Sequence, residues 1–179
     1  MSDNWRADVL KFWFALKPEQ WWKADPELDN RIKQQFLKLW WEKRQLPVES
    51  FTTDPLTAVA AVILFDQFPR NMFRGHADAY STDTLALAIT KAAVDKGLDD
   101  ELAPKERGFL YMPLQHSENR DDQNQSVLLF TELGDPEQLS FAKKHRDVIE
   151  RFGRFPHRNA ILGRAPRPDE IAAGDVTPF

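Results

Sequence analysis

Two stretches of the chain nearly repeat each other: FDQFPRN at residues 65–71 and FGRFPHRN at residues 152–159. Each combines two phenylalanines, a proline, arginine and an asparagine. The guanidinium groups of Arg70, Arg154 and Arg158 can grip a carboxylate or phosphate by forked hydrogen bonds. Asn71 and Asn159 can position backbone or ligand. A third polar cluster, YMPLQHSENRDDQ at residues 111–123, adds Tyr111, His116 and Glu118. His145 lies between Ala142 and Ile149, at spacings of three and four, on the face of an apolar helical stripe. Two chemistries fit these residue types. In acid–base catalysis on an anionic substrate, Asp66 or Glu118 is the base and His116 or His157 the acid, with arginines stabilising developing negative charge. In simple binding, Arg70, Asn71, Tyr111, His145, Arg154, Arg158 and Asn159 hold a small anion or an acidic peptide and nothing reacts.

Each candidate also has a structural role open to it. Phe65, Phe68, Pro69 and Asn71 describe a helix stop: the residue before proline avoids helical geometry, and asparagine tolerates the left-handed region. Asp66 is not explained that way, because a carboxylate in a last helical turn faces the negative end of the dipole. It is expected to be buried and paired with Arg70, Arg154 or Arg158. At the second stop Gly153 suits a left-handed cap. Ser117 is the expected N-cap of the next helix, with Glu118, Asp121 and Asp122 near its start. His145 can be a core histidine, and His116 can tie two helices together.

Other chemistries fit less well. No histidine pair has the i, i+4 spacing of a helical zinc motif, and no metal or other cofactor is expected. Ser117 adjoins His116, but the nucleophile-elbow sequence is absent. There is no glycine-rich phosphate loop. The absence of cysteine excludes thiolate chemistry and disulfides.

The elements that must position these residues are helices. Asp25-Pro26, Asp54-Pro55 and Asp135-Pro136 share one start signal: aspartate as N-cap and proline at the first position. Helical periodicity predicts helices over 4–16, 26–43, 55–67, 82–96, from 104 toward 112, 118–133 and 136–152, with a short one from Pro168. The 55–67 segment is apolar nearly all round and should be a buried central helix. Pro113 should kink or close the helix before it. No alternating strand of useful length is present. The expectation is an all-α protein, one domain over residues 1–179, with consecutive helices paired antiparallel and stacked as in a helical array.

All six tryptophans precede residue 42. They read as an N-terminal core layer, Trp21 or Trp22 being the exception because the pair sits in a connection. The formal net charge is −4, which argues against nucleic acid. Residues 143–167 carry eight Lys/Arg against Asp147 and Glu150, so that window holds +6 and the rest −10. This basic window motivates the anion expectation. No signal peptide or membrane span is legible, and a cytoplasmic location is expected.

Three long segments, ILFDQFPRNMFRG, FLYMPLQHSENRDDQNQSVLLF and HRDVIERFGRFPHRNAILGR, together with VLKFWF near the start and the WW pair at 21–22, resemble the domain-of-unknown-function 924 family. The resemblance runs over nearly the whole chain, departing at residues 45–53. It implies an all-helical, tetratricopeptide-like superhelix and supplies no chemistry. If both FP-R-N segments serve one site, the ends of the 55–67 and 136–152 helices should lie side by side near His116.

Overall fold

The run after Asp54-Pro55 dictates the centre of the N-terminal half. In a computed structural model of the protein, residues 4–179 are described, and residues 58–65 are all fully buried. A helix that is apolar on every face must be surrounded. The chain is all-α: 73% of it is helical, and no strand occurs among the described residues.

It divides into two compact units, residues up to 110 and residues 111–179. The first holds α1 (Trp5–Phe14), α2 (Pro18–Trp22), α3 (Pro26–Lys43), α4 (Pro55–Val62), α5 (Phe68–Met72) and α6 (Asp83–Asp95). Helix α4 packs against α1 and α6, and α5 lies against α3. Helix α7 (Pro104–His116) runs across the boundary. The second unit continues with α8 (Arg120–Leu133), α9 (Pro136–Phe152), a 3-10 turn at Pro156–Arg158 and α10 (Pro168–Ala173). Helices α8 and α9 pack on one another across a two-residue connection.

The three Asp-Pro starts behave as caps. Asp25 accepts from the amides of Glu27 and Leu28, Asp54 from Thr57, and Asp135 from Glu137 and Gln138. The Trp21–Trp22 pair is not in a connection: it ends the short helix α2. Trp13 and Trp40 are core residues, whereas Trp22 and Trp41 are exposed.

The first FP-R-N segment does not stop its helix. After α4 the backbone widens into a π-helical turn, Ile63–Gln67, and continues as α5 through Pro69 to Met72. The amide of Phe68 reaches back five residues to the Ile63 carbonyl. Proline normally breaks a helix because it leaves the carbonyl four residues back without a donor and clashes with it. Here that carbonyl, on Phe65, accepts the Thr82 hydroxyl at 2.6 Å, and the next, on Asp66, accepts Nη1 of Arg70. The extra residue of the π turn and these two side-chain donors remove the reason to stop. Asn71 accordingly sits inside α5 rather than in left-handed geometry, and among the described residues none other than glycine has a positive φ.

Pro113 likewise lies inside α7, which continues to His116. Nε2 of fully buried Gln123 then donates to the carbonyls of Gln115 and Ser117, both at 2.7 Å, closing the end of that helix. The N-cap of α8 is Asn119, not Ser117: Oδ1 of Asn119 accepts from the amides of Asp121 and Asp122. Ser117 braces the cap instead, accepting from the Asn119 amide and donating to Asp122 at 2.6 Å. The second FP-R-N segment does stop its helix, with Gly153 at φ +71° as the left-handed cap.

Candidate functional site

Of the candidate residues, Asp66, Arg70 and Asn71 belong to the N-terminal unit and the others to the C-terminal unit. In the N-terminal unit Asp66 is fully buried in the π turn. Its Oδ1 lies 3.5 Å from Nη1 of Arg70, and its Oδ2 accepts from Nε2 of Gln67 at 2.7 Å. Arg70 makes a fork on a partner that local spacing did not suggest, Asp83, at 2.9 and 3.0 Å. Burial disfavours the guanidinium charge, but Asp83 and Asp66 outweigh it and raise the Arg70 pKa. Asn71 donates to Asp29 at 2.8 Å, and Arg74 grips the same carboxylate at 2.7 and 3.0 Å. The cluster is a set of ion pairs.

The C-terminal unit gathers Tyr111, His116, Glu118, His145, Arg154, His157, Arg158 and Asn159. Glu118 is not part of a helix start. Its carboxylate accepts both terminal nitrogens of Arg164, at 2.8 and 3.0 Å, and the Phe155 amide at 2.8 Å. Burial would raise its pKa, but the Arg164 and Phe155 bonds prevail and hold it below the usual carboxylate range. Arg154 forks onto Glu170 of α10 at 2.6 and 2.9 Å. Glu170 accepts as well from Nδ2 of Asn159 and the Arg167 amide. These bonds, that of Arg154 foremost, bring its pKa down to about 2. Three of the arginines, Arg70, Arg154 and Arg164, thus have carboxylate partners. Asp83, Glu170 and Glu118 answer them. Arg158 is buried, donates to the His116 carbonyl at 3.0 Å and stands 4.6 Å from the centre of the Phe155 ring.

His145 is a buried residue on the inner face of α9. Its Nδ1 lies 2.8 Å from the Phe141 carbonyl. A carbonyl can only accept, so Nδ1 carries the proton and Nε2 keeps its lone pair. Burial first, and then His116, push its pKa to about 3 against the favourable Phe141 bond. Its ring centre is 6.2 Å from His116 and 5.6 Å from Phe155, which is itself 5.6 Å from His157. Tyr111 packs edge-on against Phe130 at 5.8 Å.

Beside the Pro156–Arg158 turn lies a cavity of about 390 Å³. Its polar wall is His157, Asn159, Arg164, Glu170 and Asp175, and Ile171 and Val176 are among its apolar lining. Of these, the FP-R-N repeat singled out His157 and Asn159 in the sequence. It did not single out Arg164 or Glu170: one belonged only to a basic window, the other to a short helix of no special composition. No group of three or more metal-ligating side chains occurs among the described residues, and no described helix is long and apolar enough to cross a membrane.

An all-α chain whose C-terminal unit locks two glutamates onto arginines around a small cavity is the class of protein that fold and site define. The chain belongs to the family of bacterial proteins of unknown function called domain-of-unknown-function 924, whose sequence profile matches residues 9–173. A solved structure of a protein of unknown function from Agrobacterium tumefaciens is similar to it, with a TM-score of 0.88 at 35% identity over 94% of this chain and 95% of that one. A search of curated proteins finds no match for this chain.

Proposed function

We propose that the protein is a binding module whose C-terminal unit receives a small anionic molecule in the cavity beside the Pro156–Arg158 turn, without transforming it. The observation that carries this reading is the state of the carboxylates there. Glu170 accepts four bonds and Glu118 three, most of them from arginine. Their negative charge is engaged inside the protein, so an anion entering beside His157, Asn159 and Arg164 meets Glu170 already paired, with Asp175, which accepts from the Thr177 amide, as the other acid of the wall. The cavity volume, about 390 Å³, lies in the roughly 300–1,000 Å³ range of small-molecule sites. An extended acidic peptide would need a longer groove.

Acid–base turnover is less well supported. A catalytic acid or base works best with a pKa near the operating pH. Glu118 is held below the carboxylate range, and His145 is driven to about 3. Asp66 is fully buried, 3.5 Å from Nη1 of Arg70.

The test is a melting curve with and without phosphate or acetate at constant ionic strength, in wild type, His157→Ala and Asn159→Ala. A charge-assisted contact of about 1.5–3 kcal/mol corresponds to roughly ten- to a hundredfold in affinity. The expected result is stabilisation of the wild type that both variants lose. Equal shifts in all three proteins would mean a nonspecific salt effect and would overturn the proposal.

A further inference from the structure

Helix α3 ends in two adjacent tryptophans with unlike surroundings. Trp40 is fixed in the core: its Nε1 donates to the Thr82 hydroxyl at 3.1 Å, and its ring lies 5.1 Å from Phe73. Trp41 is 60% exposed, and its ring is tilted by 52° to that of Trp40. The guanidinium of Arg44, the C-cap residue, lies over both, 3.7 Å from the Trp41 ring centre and 4.6 Å from that of Trp40. Stacking fixes the plane of a guanidinium but uses none of its N–H groups. Its Nε is buried without an acceptor, and its terminal nitrogens reach solvent. Among the described residues no carboxylate pairs with this arginine. Glu42, the acid nearest to it in sequence, lies 3.8 Å from Lys38 instead. Arg70, Arg74, Arg154 and Arg164 each grip a carboxylate of their own chain.

We infer that Trp41 and Arg44 form a docking site for an acidic segment of a partner protein. The segment lays an aspartate or glutamate carboxylate on the Arg44 fork and an apolar side chain on the Trp41 ring. This does not rest on the binding reading above, which uses other residues in the other unit. Charge complementarity names the partner's chemistry. A guanidinium already held flat against an indole offers a carboxylate two parallel bonds at little further cost in side-chain freedom. Exposure names the partner's size. A small-molecule site buries most of its ligand, whereas an indole with 60% of its surface open is a wall that only a second surface can cover. Trp and Arg are also the residue types that carry most of the binding energy where proteins meet. The neighbouring cations are answered locally, Lys38 by Glu42 and Lys43 by the Trp5 ring at 5.5 Å. The end of α3 is therefore not the extended basic footprint that a nucleic acid needs.

The experiment titrates the acidic peptide acetyl-EFEL-amide and its neutral twin acetyl-QFQL-amide into isotope-labelled protein. The Nε–H resonance of Arg44 and the indole N–H resonance of Trp41 are followed. Both should shift with the acidic peptide, and the neutral one should bind roughly ten- to a hundredfold more weakly, the worth of a charge-assisted contact. Arg44→Met should weaken the acidic peptide by a similar factor, and Arg44→Lys, which keeps the charge and loses the fork, should recover only part of it. The comparison of the two peptides on the wild type needs no variant to fold. Unmoved resonances, equal binding of the two peptides, or an unchanged affinity in Arg44→Met would refute the site. Acetate binding at Arg44 as tightly as the peptide would reduce it to a simple ion site. A wild-type dimer in sedimentation that Trp41→Ala turns into a monomer would make a second copy the occupant and overturn the proposal. Arg44→Met leaves the cavity of the C-terminal unit intact, so either reading can fail alone.

Discussion

The sharpest stability test concerns Arg70, which serves two carboxylates of unequal burial. Asp66 has no exposed surface, while the Asp83 side chain keeps 21% of its own. Replacing Arg70 by Met takes the guanidinium from both. Asp83 can turn to water; Asp66 cannot. Removing the cation from a buried pair costs about 3–5 kcal/mol, because a charge is left in a medium that solvates it poorly. The same substitution also takes the side-chain donor from the Asp66 carbonyl, one of the groups that the π turn leaves to be satisfied. Asp66→Asn is milder. Arg70 keeps its fork on Asp83 at 2.9 and 3.0 Å, and the loss is that of one charge-assisted contact, about 1.5–3 kcal/mol. In the double variant the buried charge and its cation go together. It should therefore be no less stable than Arg70→Met alone, a coupling of about 0.5–3 kcal/mol between neighbours. Urea unfolding of the four proteins with a common m-value reads all of this. If Arg70→Met costs less than Asp66→Asn, or if the two losses simply add, then Asp66 does not depend on Arg70 and the account of the π turn is wrong.

Two further outcomes follow from the same geometry. Thr82→Val should destabilise the protein by about 1–3 kcal/mol, since the hydroxyl both donates to the Phe65 carbonyl and accepts from Trp40 Nε1 at 3.1 Å; a loss under about 0.5 kcal/mol in urea unfolding, the range of ordinary surface changes, would show that Pro69 needs no such donor. His145 has a folded pKa near 3, below its unfolded value, so the unfolded chain binds the proton first and stability falls as pH drops from about 6.5 toward 3, by about 1.4 kcal/mol per unit from this residue; His145→Gln should flatten the urea midpoint between pH 7 and 5, and an unchanged slope would contradict the assigned burial.

What was legible in the sequence is what short-range physics decides. The Asp-Pro starts work because a capping oxygen and the amides it serves lie two or three residues apart, and each of the three accepts the bonds its spacing implies. The buried centre was legible because residues 58–65 have no polar face to turn outward. The helix stop at Pro69 was misread for the complementary reason. Whether proline ends a helix depends on whether another donor reaches the abandoned carbonyl, and that donor, Thr82, comes 17 residues later. The site shows the same limit more strongly. Arg154 meets Glu170 across 16 residues, and Arg164 meets Glu118 across 46. Charge summed along residues 143–167 counts neither carboxylate, because both lie outside the window. An excess of cations in sequence is therefore no excess in space. The case for an anion must rest instead on which side chains line the cavity and on how completely its acids are already engaged. On that criterion the proposal looks to the cavity of the C-terminal unit, because in the N-terminal cluster Arg70 and Arg74 already meet Asp83, Asp66 and Asp29.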